Sequence, residues 1–333
     1  MIAIAAFLLA APAWGADPCG KHVVSETHAD VVAAVEALAG AQQVDPAPVE
    51  DDGPNLLAVA ETIHTLQRGG TDDREERRIV ALLEELDPLP RAQVLRLIDQ
   101  GRDKYDLRHM VYEDVDELGR RARLLQLLDE AGQALTDAGA HEIGVISDID
   151  DTVAPLKGGA RFPGAGALYQ ALERGQDGRG QDGDIHYVTA RPALVMGDVR
   201  GRLDRAGVPQ GTVDDGNLGE AIFRGQDGYE DEKVRDIERQ LRLHPGQRFV
   251  LIGDDTQRDP EVYRRIVEAH PDRIAGVFIH QVEGGKPDTS RFPPVRFFFF
   301  DDYAQVAEVM AQRGLITKQA PANTSGPGRE NRP

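Results

Sequence analysis

The chain has 333 residues and a formal net charge of -19, because 57 Asp and Glu residues outnumber 38 Lys and Arg residues. This length allows a sizeable core in one large domain or two ordinary ones. The acidic balance argues against a nucleic-acid partner. It also argues against simple adsorption to an anionic membrane, unless a divalent cation bridges the two.

The chain begins with an uncharged apolar stretch. Residues 1–16, MIAIAAFLLAAPAWGA, are too short to cross a bilayer and end in small residues. This pattern is typical of a secretory signal peptide, with a buried N-terminal helix as the alternative. We therefore expect an exported protein, periplasmic or secreted, that is soluble after cleavage.

Cys19 is the only cysteine, so no intrachain disulfide can form. Residues 17–54 are expected to form a short helix and a linker, since AQQVDPAPVEDDGP lacks any periodicity.

The next segment, residues 55–138, has helical spacing with short breaks. Ile79, Leu82, Leu83 and Leu86 recur at the interval of one helix face, and Leu124 to Leu128 repeat the pattern. The sequence therefore predicts an all-helical module of four or five short helices.

The pattern then changes to short apolar runs that alternate with amphipathic segments. The runs are IGVIS, IHYVT, RFVLIG, IAGVFIH and VRFFFF. They predict an α/β fold over residues 139–316, a doubly wound parallel sheet with ligands beyond the carboxyl ends of its strands.

The repeated RGQDG at 174–184 and 224–228 predicts a surface connection rather than a calcium loop. Residues 317–333 are Pro-, Gly- and polar-rich and are expected to be disordered.

Three of the apolar runs end in polar signatures. The first leads into DIDDT at 148–152, the second into TARP at 189–192, and the third into GDD at 253–255, with Asp259 soon after. Lys233 is expected to open the helix before the third run. Because the carboxyl ends of parallel strands share one edge, these side chains can converge there.

This ordered set resembles the motifs of a known superfamily. DIDDT, YVTARP, Lys233 and LIGDDTQRD are similar to the four motifs of the haloacid dehalogenase superfamily of phosphohydrolases. More narrowly, SDIDDTV, QRFVLIGDDTQRDPEVY and FFFFDDYAQVAEVMAQRGLI resemble the catalytic domain of the actin-patch type phosphatidate phosphatases, over about residues 141–316. The second motif departs from the serine-containing version expected there, which leaves the substrate open.

The resemblance implies a magnesium site and a nucleophile. Mg²⁺ would be bound by Asp148, the main-chain carbonyl of Asp150 and Asp254, with Asp259 as the second acidic residue of its motif. Asp148 would attack phosphorus, which requires a cation to suppress repulsion between the two anions. Asp150 would be the general acid and then the general base.

The resemblance also implies how the phosphate is bound. Thr189, Arg191 and Lys233 would contact it, with Lys233 neutralising charge on both the phosphate and the nucleophile. The roles of Asp151 and Asp255 stay open, since either could cap or brace a loop.

The motif spacing bears on the substrate. Short intervals between the motifs leave little room for a cap domain, which favours an open site for a phosphate on a large molecule such as a lipid. The sequence thus predicts a Mg²⁺-dependent phosphohydrolase that uses an aspartyl-phosphate and acts on phosphatidate or a related lipid phosphate. The alternatives are a general phosphomonoesterase of the cell envelope, a phosphate- or phospholipid-binding site without turnover, or simply solvated loop carboxylates.

The helical module offers a further comparison. LLAVAETIHTLQRGGTDDREERRIVALLEEL through DLRHMVYEDVDELGRRARLLQLL is similar to a single annexin repeat. This resemblance implies Ca²⁺ bound against lipid headgroups by the turn at Gly70 and Thr71 and by Asp114, although Arg68 replaces the first glycine. Chance similarity among amphipathic helices is the alternative. The comparison adds a calcium-dependent phospholipid-binding adaptor, with peripheral membrane contact, as a function of another class.

Overall fold

The computed structural model describes most of the chain beyond the first 54 residues, namely residues 55–101, 103–140, 143–156, 161–175, 185–189, 197–214, 218–282 and 289–317. The predictions for the signal peptide, the linker, the repeat at 176–184 and the tail beyond Thr317 lie outside these residues. All described residues belong to one compact unit. No helix in these ranges is both long and apolar enough to cross a membrane.

The N-terminal part of the described chain is helical, as the sequence predicts. Its helices are α1 (Leu56–Gln67), α2 (Asp73–Glu84), α3 (Pro88–Ile98), the short α4 (Leu107–His109), which runs into a π-helix (Met110–Asp114), and α5 (Leu118–Asp137). Asp72 and Glu75 form a capping box that begins α2. Most of the leucines and the isoleucine predicted on one helix face are buried in a shared core: Ile79, Leu82, Leu83, Leu86, Leu124, Leu127 and Leu128. Leu125, also predicted there, is only partly buried against it.

A six-stranded parallel sheet follows. Its strands are β1 (Ile143–Ser147), β2 (Ile185–Val188), β3 (Thr212–Asp214), β4 (Arg248–Asp254), β5 (Ile274–His280) and β6 (Phe297–Phe300). They lie in the order β3-β2-β1-β4-β5-β6, and every pair is parallel. The strand order reverses between β1 and β4, which is where open α/β sheets bind their ligands.

Helices cover both faces of the sheet. They are α6 (Ala165–Glu173), α7 (Val199–Ala206), α8 (Leu218–Leu243), α9 (Asp259–Ala269) and α10 (Tyr303–Gln312), together with a 3-10 turn (Thr289–Arg291). Val145 of β1 packs in a core with α6, α7 and α10, whereas its neighbour Ile146 packs in another core with α8 and α9. Successive strand residues point to opposite faces, so this alternation confirms the predicted sheet with helices on both sides.

The structure differs from the sequence prediction at β3 and α8. The edge strand β3 was missed, because three residues are too few for a periodic pattern. The interpretation of residues 224–228 as a surface connection was wrong, because α8 runs continuously from Leu218 to Leu243. Isolated glycines cost only about 1 kcal/mol each in a helix interior, and Val234, Ile237 and Leu241 pack this helix against the sheet.

Between successive strands, each described connection contains a single helix or helical turn. The described residues therefore contain no separate domain inserted between the strands. The expectation of little or no cap stays a prediction.

A buried charged network joins the helical part to the sheet. Arg108 of α4 forms an ion pair with Asp214 of β3, which also accepts a 2.7 Å hydrogen bond from Nε2 of Gln240. Asp236 of α8 lies nearby, is 5% exposed, and pairs with Arg239 at 2.8 Å. Burial, and then the charge of Asp214, raise the pKa of Asp236 to about 7.

Replacing Asp236 with Asn should therefore change the pH dependence of stability. A raised carboxyl pKa contributes stability that is present below the unfolded pKa and is lost as the pH rises through the folded pKa, here about 7. The neutral Asn has no such loss. Relative to the native protein, D236N should gain about 2 kcal/mol of unfolding free energy between about pH 5 and about pH 8. Urea denaturation of both proteins across this pH range measures the change. A difference in unfolding free energy between them that does not vary with pH would contradict the prediction.

Candidate active site

Four charged side chains meet at the carboxyl edge of the sheet, where the strand order reverses. Asp148 follows β1, and its N–H donates a 2.9 Å hydrogen bond to the carbonyl of Ile252 in β4. Lys233 Nζ of α8 lies 2.7 Å from Asp148 Oδ1 and 2.6 Å from Asp259 Oδ1, at the start of α9. Asp254 ends β4. One oxygen from each of the three carboxylates lies within 4.8 Å of the others.

The prediction that Lys233 opens its helix was wrong, because α8 begins at Leu218. The lysine nevertheless lies beside the acidic cluster. It projects from the interior of α8, and its buried side chain contacts Asp148 and Asp259 at the carboxyl edge of the sheet.

The cluster carries more buried negative charge than Lys233 can balance. Burial raises the pKa of Asp148 well above its ordinary value, which the neighbouring Asp259 and Asp254 reinforce and Lys233 opposes. Burial, and then the charge of Asp259, raise the pKa of Asp254 to about 6. Burial alone would lower the pKa of Lys233, but Asp148 and Asp259 outweigh it and raise that pKa, so the ammonium stays charged.

The carboxylate oxygens fit a divalent cation. Oδ2 of Asp148 and Oδ2 of Asp254 are buried and have no hydrogen-bond partner among the described residues. Asp259, by contrast, accepts from Lys233 with Oδ1 and from the Asp254 N–H with Oδ2. Hard carboxylate oxygens are the ligands that Mg²⁺ prefers, at about 2.1 Å, so oxygens on opposite sides of the ion are ~4.2 Å apart. The 4.8 Å limit on one oxygen from each carboxylate is compatible with that arrangement.

Asp150 is buried but is positioned by a residue that the sequence did not single out. Arg202 of α7 pairs with the Asp150 carboxylate and also donates from Nη2 to the carbonyls of Ala154 and Pro155, at 3.1 and 3.2 Å. Arg202 lies far from Asp150 along the chain and outside any motif, so no spacing pattern could have indicated it. The predicted metal contact through the carbonyl of Asp150 stays a prediction.

The two acidic residues left open brace loops. Asp151 has a φ of 57°, and its Oδ1 accepts a 2.9 Å hydrogen bond from the Leu156 N–H. The carbonyl of Asp151 accepts from His280 Nδ1 at 2.8 Å. Asp255 Oδ1 accepts from the Val282 N–H at 2.9 Å. These contacts hold the loops on either side of Asp148 and Asp254.

Of the predicted phosphate-binding residues, only part is described. Thr189 directly follows β2, is buried, and donates its N–H to the Asp214 carbonyl at 3.0 Å. It thus lies at the same sheet edge as Asp148, since β2 is the neighbour of β1. Arg191 lies outside the described residues.

The predicted calcium ligands of the helical part also have described surroundings. The Thr71 hydroxyl donates to the Asp114 carbonyl, while Asp114 Oδ2 lies 2.8 Å from His109 Nδ1. The turn and the distal acid are thus adjacent, but the carboxylate is already paired with a histidine. Calcium binding at Gly70, Thr71 and Asp114 stays a prediction.

Gly253 allows Asp259 to approach the end of β4. A Cβ at this position would lie 2.3 Å from Asp259 Oδ2 and 2.8 Å from Tyr263 Cε2, so a methyl group would displace the carboxylate. Replacing Gly253 with Ala should lower kcat/KM for phosphate release by about 10–100-fold, the effect of a misplacement near 1 Å.

Steady-state kinetics check this expectation, with Gly119→Ala as the matched control. A Cβ at Gly119 would meet only the flexible end of Glu117, at 3.2 Å, so activity should stay within about twofold. Equal activity of the two variants would contradict the steric account.

Comparison with known families adds independent evidence. Residues 157–281 match the family model described as phosphatidate phosphatase APP1, catalytic domain. The match indicates a phosphatidate phosphatase-like enzyme, a phosphoric monoester hydrolase. The matched range contains Thr189, Lys233, Asp254 and Asp259, whereas Asp148 precedes it and is joined to them by the fold. No curated protein matches the chain.

Proposed function

We propose that this protein is a Mg²⁺-dependent phosphohydrolase that removes the phosphate of phosphatidate or a related lipid phosphate through an aspartyl-phosphate on Asp148. One observation carries the proposal: Asp148 lies beside Lys233, Asp254 and Asp259 at the edge of the sheet where ligands bind. The match to a phosphatidate phosphatase catalytic domain supports the choice of a lipid phosphate.

The first half of the reaction uses Asp148 and Asp150. A carboxylate oxygen of Asp148 attacks phosphorus. The new O–P bond gives the aspartyl-phosphate as the P–O bond to the ester oxygen breaks. Asp150 donates a proton to the leaving oxygen, which departs as the alcohol. Mg²⁺, bound through Asp148 and Asp254, would supply positive charge to the phosphate oxygens.

The second half regenerates the enzyme. Asp150 accepts a proton from a water molecule, which attacks phosphorus and releases inorganic phosphate and the free Asp148 carboxylate. Lys233, 2.7 Å from Asp148, balances the charge of the free carboxylate and, in the intermediate, that of the phosphoryl group. Thr189 donates a hydrogen bond to the transferring group, and Arg191 contributes a second contact. Arg202 fixes the orientation of Asp150.

The general phosphomonoesterase is the main rival, and substrate choice separates the two. We expect kcat/KM for phosphatidate in vesicles to exceed that for a water-soluble aryl phosphate by at least about tenfold, with Mg²⁺ present in both assays. Equal or better turnover of the aryl phosphate would favour a general phosphatase. Calcium-dependent sedimentation with vesicles, with no phosphate released from any ester tested, would favour the adaptor instead.

We further propose that the enzyme acts outside the cytoplasm, as the uncharged apolar start of the chain suggests. Cell fractionation with an antibody to the native protein tests this. Recovery of the full-length, uncleaved chain in the cytosolic fraction would contradict export.

A further inference from the structure

A second cluster of metal-binding side chains lies away from the active site. Asp99 follows α3, His186 is the second residue of β2, and His244 lies between α8 and β4. One potential ligand atom of each lies within 4.8 Å of the others. Because His186 and His244 lie near the amino ends of β2 and β4, this cluster is separated from Asp148 and Asp254 at the carboxyl ends.

The three side chains are close but incompletely satisfied. Nε2 of His244 lies 3.1 Å and Nδ1 of His186 lies 3.7 Å from Asp99 Oδ2. Within the described residues, Nε2 of His186 is buried and lacks a hydrogen-bond partner, whereas Asp99 Oδ2 and His244 Nε2 are buried as an ion pair. Asp99 is 2% exposed and His186 is 0% exposed. Leaving a buried ring nitrogen unpaired is costly, so Nε2 of His186, beside the Asp99–His244 pair, points to a missing partner.

The remaining polar atoms of the cluster are held in place. Asp99 Oδ1 accepts a 3.0 Å hydrogen bond from the Leu107 N–H, and Nδ1 of His186 lies 2.8 Å from Thr212 Oγ1. The His186 and His244 rings are 4.5 Å apart. The Thr212 contact occupies Nδ1 of His186 and leaves Nε2 as its unpaired ring nitrogen. Contacts to the atom that does not bind the metal orient metal ligands in proteins.

There is also room beside the cluster. A cavity of about 50 Å³ is bordered by Asp99, Leu107, His244 and Gln247, and a water molecule needs about 10–15 Å³ on the same scale. Gly132 of α5 brings the helical part close to the turn after His244, because a Cβ there would lie 2.1 Å from the Pro245 carbonyl. The cluster thus lies where the helical part meets the sheet.

We propose that Asp99, His186 and His244 bind one divalent transition-metal ion and that this ion links the helical part to the sheet. The ligand types favour Zn²⁺. Two imidazoles and one carboxylate suit Zn²⁺ or Co²⁺, whereas the oxygen donors of the active site suit Mg²⁺. The site is independent of the proposed phosphatase mechanism.

Titration of the metal-free, full-length protein with Co²⁺ tests the proposal. Co²⁺ with nitrogen ligands in a four-coordinate site absorbs visible light strongly, whereas octahedral oxygen-bound Co²⁺ absorbs weakly. We expect one equivalent of strongly absorbing Co²⁺, displaced by Zn²⁺. Its affinity should fall at least about 100-fold in D99N and in H244Q, because each variant removes a ligand.

Two controls identify the site. His270 follows α9 and its side chain is 38% exposed, so H270Q should bind Co²⁺ like the native protein. The D148N/D254N double variant should also keep the absorption band, since it changes only the active-site carboxylates.

Thermal unfolding gives a second measurement. Zn²⁺ at a hundredfold excess over its dissociation constant should raise the Tm of the native protein by roughly 5–10 °C, but not that of D99N.

The Co²⁺ titration of the native protein does not depend on whether a variant folds. Absence of the strong Co²⁺ band in the folded native protein would overturn the proposal. So would an unchanged band in folded D99N and H244Q, or its loss in D148N/D254N but not in D99N.

Discussion

Replacing Asp148 with Asn is expected to lower phosphate release by at least about 10³-fold while the protein stays folded. The amide is nearly isosteric but is not a nucleophile toward phosphorus. Burial already raises the pKa of Asp148, so a neutral group at this position should not destabilise the fold. Lys233 would keep its 2.6 Å contact with Asp259. The measurements are kcat/KM with phosphatidate vesicles and the urea midpoint of the same preparation.

Asp255→Asn is the matched control for this prediction. Asp255 is adjacent to Asp254, but its carboxylate accepts a hydrogen bond from the Val282 N–H and is not part of the cluster. An amide oxygen can accept the same bond, so activity should stay within about threefold. Substantial activity in folded D148N would show that Asp148 is not the nucleophile.

Replacing Lys233 with Met should impair both stability and activity. The substitution leaves Asp148 and Asp259 buried without their shared cation, and breaking a buried ion pair in this way costs about 3–5 kcal/mol. Phosphate release should fall by at least about 100-fold, because charge on the nucleophile and the phosphate is no longer balanced. Urea denaturation in the presence of a chelator, together with kinetics at saturating Mg²⁺, measures the two effects.

A second substitution separates the charge effect from simple loss of packing. In the K233M/D259N double variant one of the two unpaired carboxylates is removed, so the stability loss should be smaller than the sum of the single losses. Arg265→Met serves as the control. Arg265 pairs with Asp231 at 3.0 Å, but both side chains are 41% exposed, so its removal should cost no more than about 1 kcal/mol. Additive losses in the double variant would contradict the account of Lys233.

The convergence of Asp148 and Asp254 could be predicted from the sequence because each residue follows or ends an apolar strand. The carboxyl ends of parallel strands share one edge of the sheet, so the positions of DIDDT and GDD predicted that the two carboxylates lie close together. Helical spacing likewise identified buried residues such as Ile79 and Leu124.

Other features depend on contacts between distant parts of the chain. Arg202 meets Asp150 only because α7 packs beside the loop after β1. Asp99, His186 and His244 come from three separate elements, and none of them belongs to a spacing motif. The start of α8 was mistaken because local glycines were weighed against a helix whose apolar face packs on the sheet. Tertiary packing decides each of these cases.

The phosphoryl group itself tests the central claim most directly. The native enzyme would be stopped with acid during turnover of phosphatidate carrying a labelled phosphate, and its peptides would then be mapped. We expect base-labile label on the peptide that contains Asp148, and none in D148N. Label on a different peptide, or steady phosphate release with no labelled protein after rapid quenching, would contradict an aspartyl-phosphate at Asp148.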